Sequence, residues 1–215
     1  MSVILFDVDG TLLRFFPVGR DAMSKAMEEV WGVRDALEGV YFGGFTDGAA
    51  AKRVAPDRDP SEMWDRYLVH LRAILAERDH LTPLPGVPAL LDALEARGHR
   101  PALLTGNIRA GAEIKLAAAG LKDRFDYERS AFAEDGEERL EIAATARRRC
   151  GDGPLTVVGD TLADIRCARH IGARVLSVTT GPESAEQLQE AGPDRCVPDL
   201  SATDDLCVWL LEQSS

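Results

Sequence analysis

The chain has 215 residues, 45% hydrophobic and 28% charged, with a formal net charge of −11. That mix suits one ordinary domain carrying an insertion, or two small domains, with a substantial buried core. The acidic balance disfavours general binding to nucleic acid or to an anionic membrane, although a local cation or arginine can still draw an anionic substrate into a cleft.

Val3 to Phe6 reads as a short buried strand, continuously apolar and closed by the turn signal DVDG. The region from about Arg14 to Pro83 then breaks the pattern of the rest. Asp21 to Trp31 and Ser61 to Glu77 have the spacing of amphipathic helices, with VYFGGFTDG between them reading as a glycine-rich turn. From LPGVP onward, strands and helices alternate. Helical patterns are expected over Val87 to Arg97, Ala110 to Ala119, Glu137 to Arg149, Leu162 to Ile171 and Ser201 to Leu211, several stopped by a glycine. Apolar runs at Pro101 to Leu104, Leu155 to Val158 and Arg174 to Val178 read as strands, with weaker candidates around Tyr127 and Cys196.

This alternation implies right-handed βαβ units, hence an α/β fold with a doubly wound, mostly parallel sheet. The expected division is a Rossmann-like core of residues 1–13 and 84–215, with residues 14–83 as an inserted helical cap above the C-terminal edge of the sheet.

Three polar clusters each follow an apolar strand. The first strand ends in Asp7, Asp9 and Thr11, the second in Thr105, Gly106 and Asn107, and the third in Asp160 and Asp164 of GDTLAD. Any one of them reads equally well as a turn or helix cap. Together they fall on the edge where open α/β sheets place their chemistry. Phosphoryl transfer to an aspartate needs such a set. A divalent cation held by carboxylates offsets the repulsion between a carboxylate nucleophile and a phosphate monoester, and Mg2+ favours oxygen ligands. Thr105 and the amides after it are candidate phosphate donors, and Asp9 a candidate acid for the leaving alkoxide and base for the attacking water.

DVDGT, an inserted helical segment, LLTGN, a basic residue and GDTLAD resemble the haloacid dehalogenase superfamily, phosphoglycolate phosphatase-like, over nearly the whole chain. The resemblance implies Asp7 as nucleophile, Asp9 as acid and base with its carbonyl on magnesium, Thr105 as phosphate ligand, Asp160 on the metal and Asp164 as an orienting partner. Asp7, Asp9 and Asp160 are thus the expected metal site, with Thr11 and Asp164 behind it. One motif departs from the family pattern: AFAEDGEERLEIA has no lysine before the third helix, and Arg139 stands in its place, with Lys122 a weaker substitute. Candidate substrate contacts in the cap are Arg20, Thr46 and Asp47, beside Gly43, Gly44 and Phe45.

The expected activity is a magnesium-dependent phosphatase acting on a small phosphorylated metabolite. The alternative is a β-phosphoglucomutase-like sugar phosphomutase. Dehalogenation and phosphonate cleavage are disfavoured by the presence of Asp9, and Lys52, the conceivable Schiff-base lysine, reads as an exposed helix residue. A non-catalytic binding protein has no need for Asp7, Asp9, Thr105 and Asp160 together. Cys150, Cys167, Cys196 and Cys207 lack metal-ligand spacing, and His70, His80, His99 and His170 are scattered. MSVILF has no basic leader, and the expected setting is cytoplasmic, as monomer or homodimer.

Overall fold

The structure is a computed structural model that describes residues 2–14, 17–39, 43–77 and 81–212. Five parallel strands form one sheet in the order β2-β1-β3-β4-β5. They are β1 (Val3–Phe6), β2 (Ala102–Leu103), β3 (Leu155–Gly159), β4 (Arg174–Val178) and β5 (Arg195–Val197). The order places β1 between β2 and β3, so residues just beyond those three strands meet at the centre of one edge. Phe6 stands opposite Leu103 on one side and Val158 on the other.

Alternation along β1 divides the core in two. Ile4 and Phe6 face α4 (Val87–Glu95), α5 (Arg109–Ala118) and α9 (Thr203–Leu211), packing with Leu90, Leu116 and Leu210. Val3 and Leu5 face α6 (Arg139–Cys150), α7 (Leu162–His170) and α8 (Ala185–Glu190), against Ile142, Ala168 and Leu188. Helices thus cover both faces, as a sheet of near-continuously apolar strands requires.

After β1 the chain leaves the sheet and returns beside its point of departure. Leu13 pairs with Pro83, and the Leu84 amide donates to the Leu12 carbonyl at 2.9 Å. Between these points lie α1 (Val18–Trp31), α2 (Asp47–Val54) and α3 (Trp64–Ala76), the last opened by a 3-10 turn at Pro60–Met63. These helices hold their own apolar cluster, with Met23, Met27, Tyr67 and Leu71 at its centre and Ile108 of the sheet layer joining it.

The structure corrects three local expectations. The Tyr127 region is a turn rather than a strand, because the Asp126 carboxylate accepts from the Glu128 and Arg129 amides at 3.0 and 3.3 Å. Only Ala131, a few residues on, bridges to Leu104. The TDG of the expected glycine-rich turn opens α2, since Thr46 caps that helix by accepting from the Ala49 amide at 2.9 Å. Val40, Tyr41 and Phe42 of the same expected turn, and His80, lie outside the described residues. The third addition is α8, too short for a clear period and set by the reciprocal cap of Ser184 and Gln187. No helix among the described residues is long and apolar enough to cross a membrane.

Phe6 links the core to the site, since it is fully buried, meets Phe125 edge-on at 6.5 Å and directly precedes Asp7. Phe6→Ala is expected to cost about 3–5 kcal/mol in stability. Equilibrium urea unfolding, followed by circular dichroism, measures it.

Candidate active site

The sheet register brings the three clusters together. One residue beyond β1, the Asp7 amide donates to the Val158 carbonyl of β3 at 2.9 Å, which aligns Asp7 with the start of the GD step. Thr105 follows β2 and is held from behind, its amide donating to Ala131 at 3.2 Å. Asp160 follows β3 and is almost fully buried.

Asp7, Asp160 and Asp164 each present a carboxylate oxygen, and these three oxygens lie within 4.8 Å of one another. All three residues are buried, at 7%, 1% and 0% exposure, so little water screens their repulsion. Burial, together with the Asp164 charge, pushes the Asp7 carboxyl up to about 7, while Arg139 opposes the shift. Burial and the charges of Asp7 and Asp164 raise Asp160 well above its ordinary value.

Arg139 is the cation built into this cluster. It opens α6 and is 8% exposed, reaching Asp7 Oδ1 at 3.4 Å and hydrogen-bonding Asp164 Oδ1. Burial disfavours its charge, but the carboxylates of Asp164 and Asp7 outweigh that and raise its pKa. Asp164 is held further by Thr161, whose amide and hydroxyl donate to it at 3.0 and 2.7 Å. Lys122 lies elsewhere, half-exposed and paired with Glu113 at 3.1 Å.

A divalent cation fits the carboxylates. Thr11 donates to Asp160 Oδ1 at 2.8 Å, but Asp160 Oδ2 is buried with no hydrogen-bond partner, an arrangement that costs free energy unless a cation or donor completes it. Two glycines clear the space around that oxygen. A Cβ on Gly10, whose φ is +90°, would lie 2.2 Å from Asp160 Oδ2, and one on Gly181 1.7 Å from it. Asp7 and Asp160 supply hard oxygen donors of the kind Mg2+ takes.

Beside the carboxylates lies a second polar group. Asn107 donates through Nδ2 to Thr105 Oγ1 and to Asp9 Oδ2, both at 2.8 Å. Thr105 Oγ1 also accepts from the Asn107 backbone amide at 3.3 Å, so both its lone pairs are engaged and its O–H is left as the available donor. Lys115, on α5, donates to Asp9 Oδ2 and to Asn107 Oδ1, both at 2.6 Å. Lys115 carries no motif signal in the sequence, since within EIKLAAAG it reads as one more solvent-facing helix charge.

Asp7, Asp9, Thr105, Gly106, Asn107, Arg139 and Asp160 line one cleft of about 740 Å³, open to solvent. Arg20, Gly43, Gly44, Phe45 and Asp47 close it from the α1–α3 side. Asp47 also joins the two layers. Its amide donates to the Gly106 carbonyl at 2.7 Å, and its Oδ2 accepts from the Ile108 amide at 2.8 Å. Burial raises its carboxyl to about 6, with Lys115 pulling the other way. Thr46 stands outside this lining, its hydroxyl donating to the Glu137 carbonyl at 3.0 Å. Thr11 and Asp164 sit behind the lining residues. Lys52 pairs with Glu137 at 2.7 Å, away from the cleft.

Comparison with known proteins identifies relatives along nearly the whole chain. The family described as haloacid dehalogenase-like hydrolase matches residues 1–172. The phosphoglycolate phosphatase of Nitrosospira multiformis is 28% identical, over 93% of this chain and 92% of its own. That of Synechococcus elongatus is 26% identical, over 100% and 94%. Among solved structures, CbbY from Rhodobacter sphaeroides in complex with phosphate superposes with a TM-score of 0.73 at 21% identity, covering 93% of this chain and 94% of that one.

Two measurements test the cluster. Gly181→Ala, which drives a methyl against Asp160 Oδ2, is expected to weaken Mg2+ binding at least tenfold; the rise in thermal midpoint on Mg2+ titration reads it. In chelator, Asp7 binds its proton more tightly folded, at about 7, than unfolded, at 3.8. Its contribution is therefore fully present below 3.8 and lost as pH rises through about 7, with Asp47 acting in the same direction. Urea unfolding at pH 5 and pH 7.5 is expected to show this loss, and Asp7→Asn to reduce it.

Proposed function

Since the chain belongs to the haloacid dehalogenase-like hydrolases, we propose that it is a magnesium-dependent phosphatase that hydrolyses a small phosphate monoester through a phosphorylated Asp7, in the manner of a phosphoglycolate phosphatase. The observation that carries the reading is the buried trio of Asp7, Asp160 and Asp164, whose repulsion Arg139 alone does not relieve and whose Asp160 oxygen lacks a partner. A cleft closed from the α1–α3 side by Arg20, Phe45 and Asp47 suits a small metabolite rather than a macromolecule.

Asp7 and Asp160, with the carbonyl of Asp9, would hold Mg2+, which when bound offsets the negative charge of the phosphate and of the carboxylates around it. Thr105 donates its hydroxyl hydrogen to a phosphoryl oxygen, and Arg139 aids the charge balance beside Asp7. An oxygen of Asp7 attacks phosphorus. The bond from phosphorus to the leaving oxygen breaks, and that oxygen keeps the electron pair and takes a proton from Asp9. Water then attacks the phosphorus of the aspartyl phosphate and gives a proton to Asp9. The bond to Asp7 breaks, restoring its carboxylate and releasing inorganic phosphate. Residues 14–83 act as a cap that limits the leaving group to what fits between Arg20, Phe45 and Asp47, and that excludes bulk water during transfer.

A panel of phosphorylated metabolites, assayed for free phosphate with and without Mg2+, tests the reading. Release that requires Mg2+ and falls at least a thousandfold in Asp7→Asn is the expected outcome. Isomerised sugar phosphate without free phosphate would move the assignment to a phosphomutase, and activity surviving in Asp7→Asn would remove Asp7 as nucleophile.

A further inference from the structure

We propose that Lys115 is a positioning residue for Asp9, holding one carboxylate oxygen so that the other is aimed at the leaving group. The inference rests on Asp9 being the proton carrier of the proposed reaction, and it adds to that reaction a residue from the interior of a helix, remote from the three strand-tip motifs.

Lys115 is 5% exposed, and an ammonium buried to that extent is unfavourable unless it is fully engaged. A helix face that needed only packing has its alanines and leucines for that purpose. The ammonium is engaged on both sides of one ring. It donates to Asp9 Oδ2 and to Asn107 Oδ1, while Asn107 Nδ2 donates to the same Asp9 Oδ2. Both donors reach Oδ2, so Oδ1 is the oxygen left for a reacting group.

The lysine also fixes which way the amide points. An ammonium has donors and no acceptor, so Asn107 must present its oxygen to Lys115 and its nitrogen to Asp9 and Thr105. With Asn107 donating to Thr105 Oγ1, the hydroxyl hydrogen of Thr105 is free to turn toward a ligand. One buried cation thereby orients the proton carrier and a phosphate donor together. Space around the ammonium is restricted from the α1 side, where a Cβ on Gly19 would lie 3.2 Å from Nζ. The small residue at that position leaves room for the lysine, which itself lines the cleft.

The test is a series of substituted phenyl phosphates of similar size and graded leaving-group acidity. It reads kcat/KM, which covers binding through cleavage of the bond to the leaving oxygen. The proteins are wild type, Asp9→Asn, Lys115→Met and Lys115→Gln. A poor leaving group needs Asp9 in place, whereas a good one departs without a proton. Lys115→Met is expected to lose about ten- to a hundredfold on the poorest leaving group and less than about threefold on the best, steepening the dependence as Asp9→Asn does. Lys115→Gln, which keeps a donor, falls between. The slope does not depend on how much protein is folded, so a partly unfolded variant still reports.

An equal loss across the series, or a raised KM at unchanged kcat, overturns the proposal and leaves Lys115 as packing or a substrate contact. A steep slope in Asp9→Asn with a wild-type slope in Lys115→Met overturns it while sparing the acid. A wild-type slope in Asp9→Asn removes the acid role of Asp9, and the Lys115 proposal with it.

Discussion

Negative charge packed into a dry space is the constraint on which the rest of this molecule is arranged. Three carboxylates meet at the tips of β1 and β3 with almost no water to screen them, and one buried guanidinium spans two of them. Such a cluster is tolerable only if other groups take up the imbalance, through protonation or a bound cation. The raised Asp7 and Asp160 carboxyls express the first route, and the unpartnered oxygen of Asp160 prepares the second. The unfavourable arrangement is a local conflict of the kind that folds retain at functional sites, held there by an apolar sheet that leaves the backbone little freedom.

The sheet explains why these side chains cannot drift apart. In a parallel sheet with β1 at its centre, the residues following β1, β2 and β3 emerge side by side, whatever their separation along the chain. The distances in sequence are large: Thr11 meets Asp160 across 149 positions, and Arg139 meets Asp7 across 132. Backbone pairing aligns the strand ends from which these side chains are held, so the polar contacts refine that geometry rather than create it.

Much of this was legible in the sequence, because β1, β3 and β4 are mostly apolar runs ended by turn residues. Their alternation with helices leaves few topologies open. The meeting of Asp7, Thr105 and Asp160 follows from that alternation alone. Arg139 was legible only through the family resemblance, as the base standing where the motif usually has a lysine, and the structure sets it against Asp7 and Asp164. Lys115 was not, since a lysine in an alanine-rich helix reads as exposed, and its burial follows only from how α5 packs under Asp9. Thr46 shows the opposite difficulty. A threonine beside a glycine-rich loop invites a ligand, yet its hydroxyl both caps α2 and tethers that helix to Glu137. One short element escaped for want of length: α8 carries too few residues for a period to emerge.

The loop of Thr105, Gly106 and Asn107 is short enough to pass for a portable motif, but it is not complete in itself. The Gly106 carbonyl and the Ile108 amide find their partners in a single residue, Asp47, some sixty positions earlier and in another layer. Grafted onto a different scaffold, the segment from Thr105 to Ile108 would bring two backbone groups with no counterpart, and its curvature would relax to satisfy them in solvent. Anyone transplanting this loop must therefore carry an aspartate from outside it.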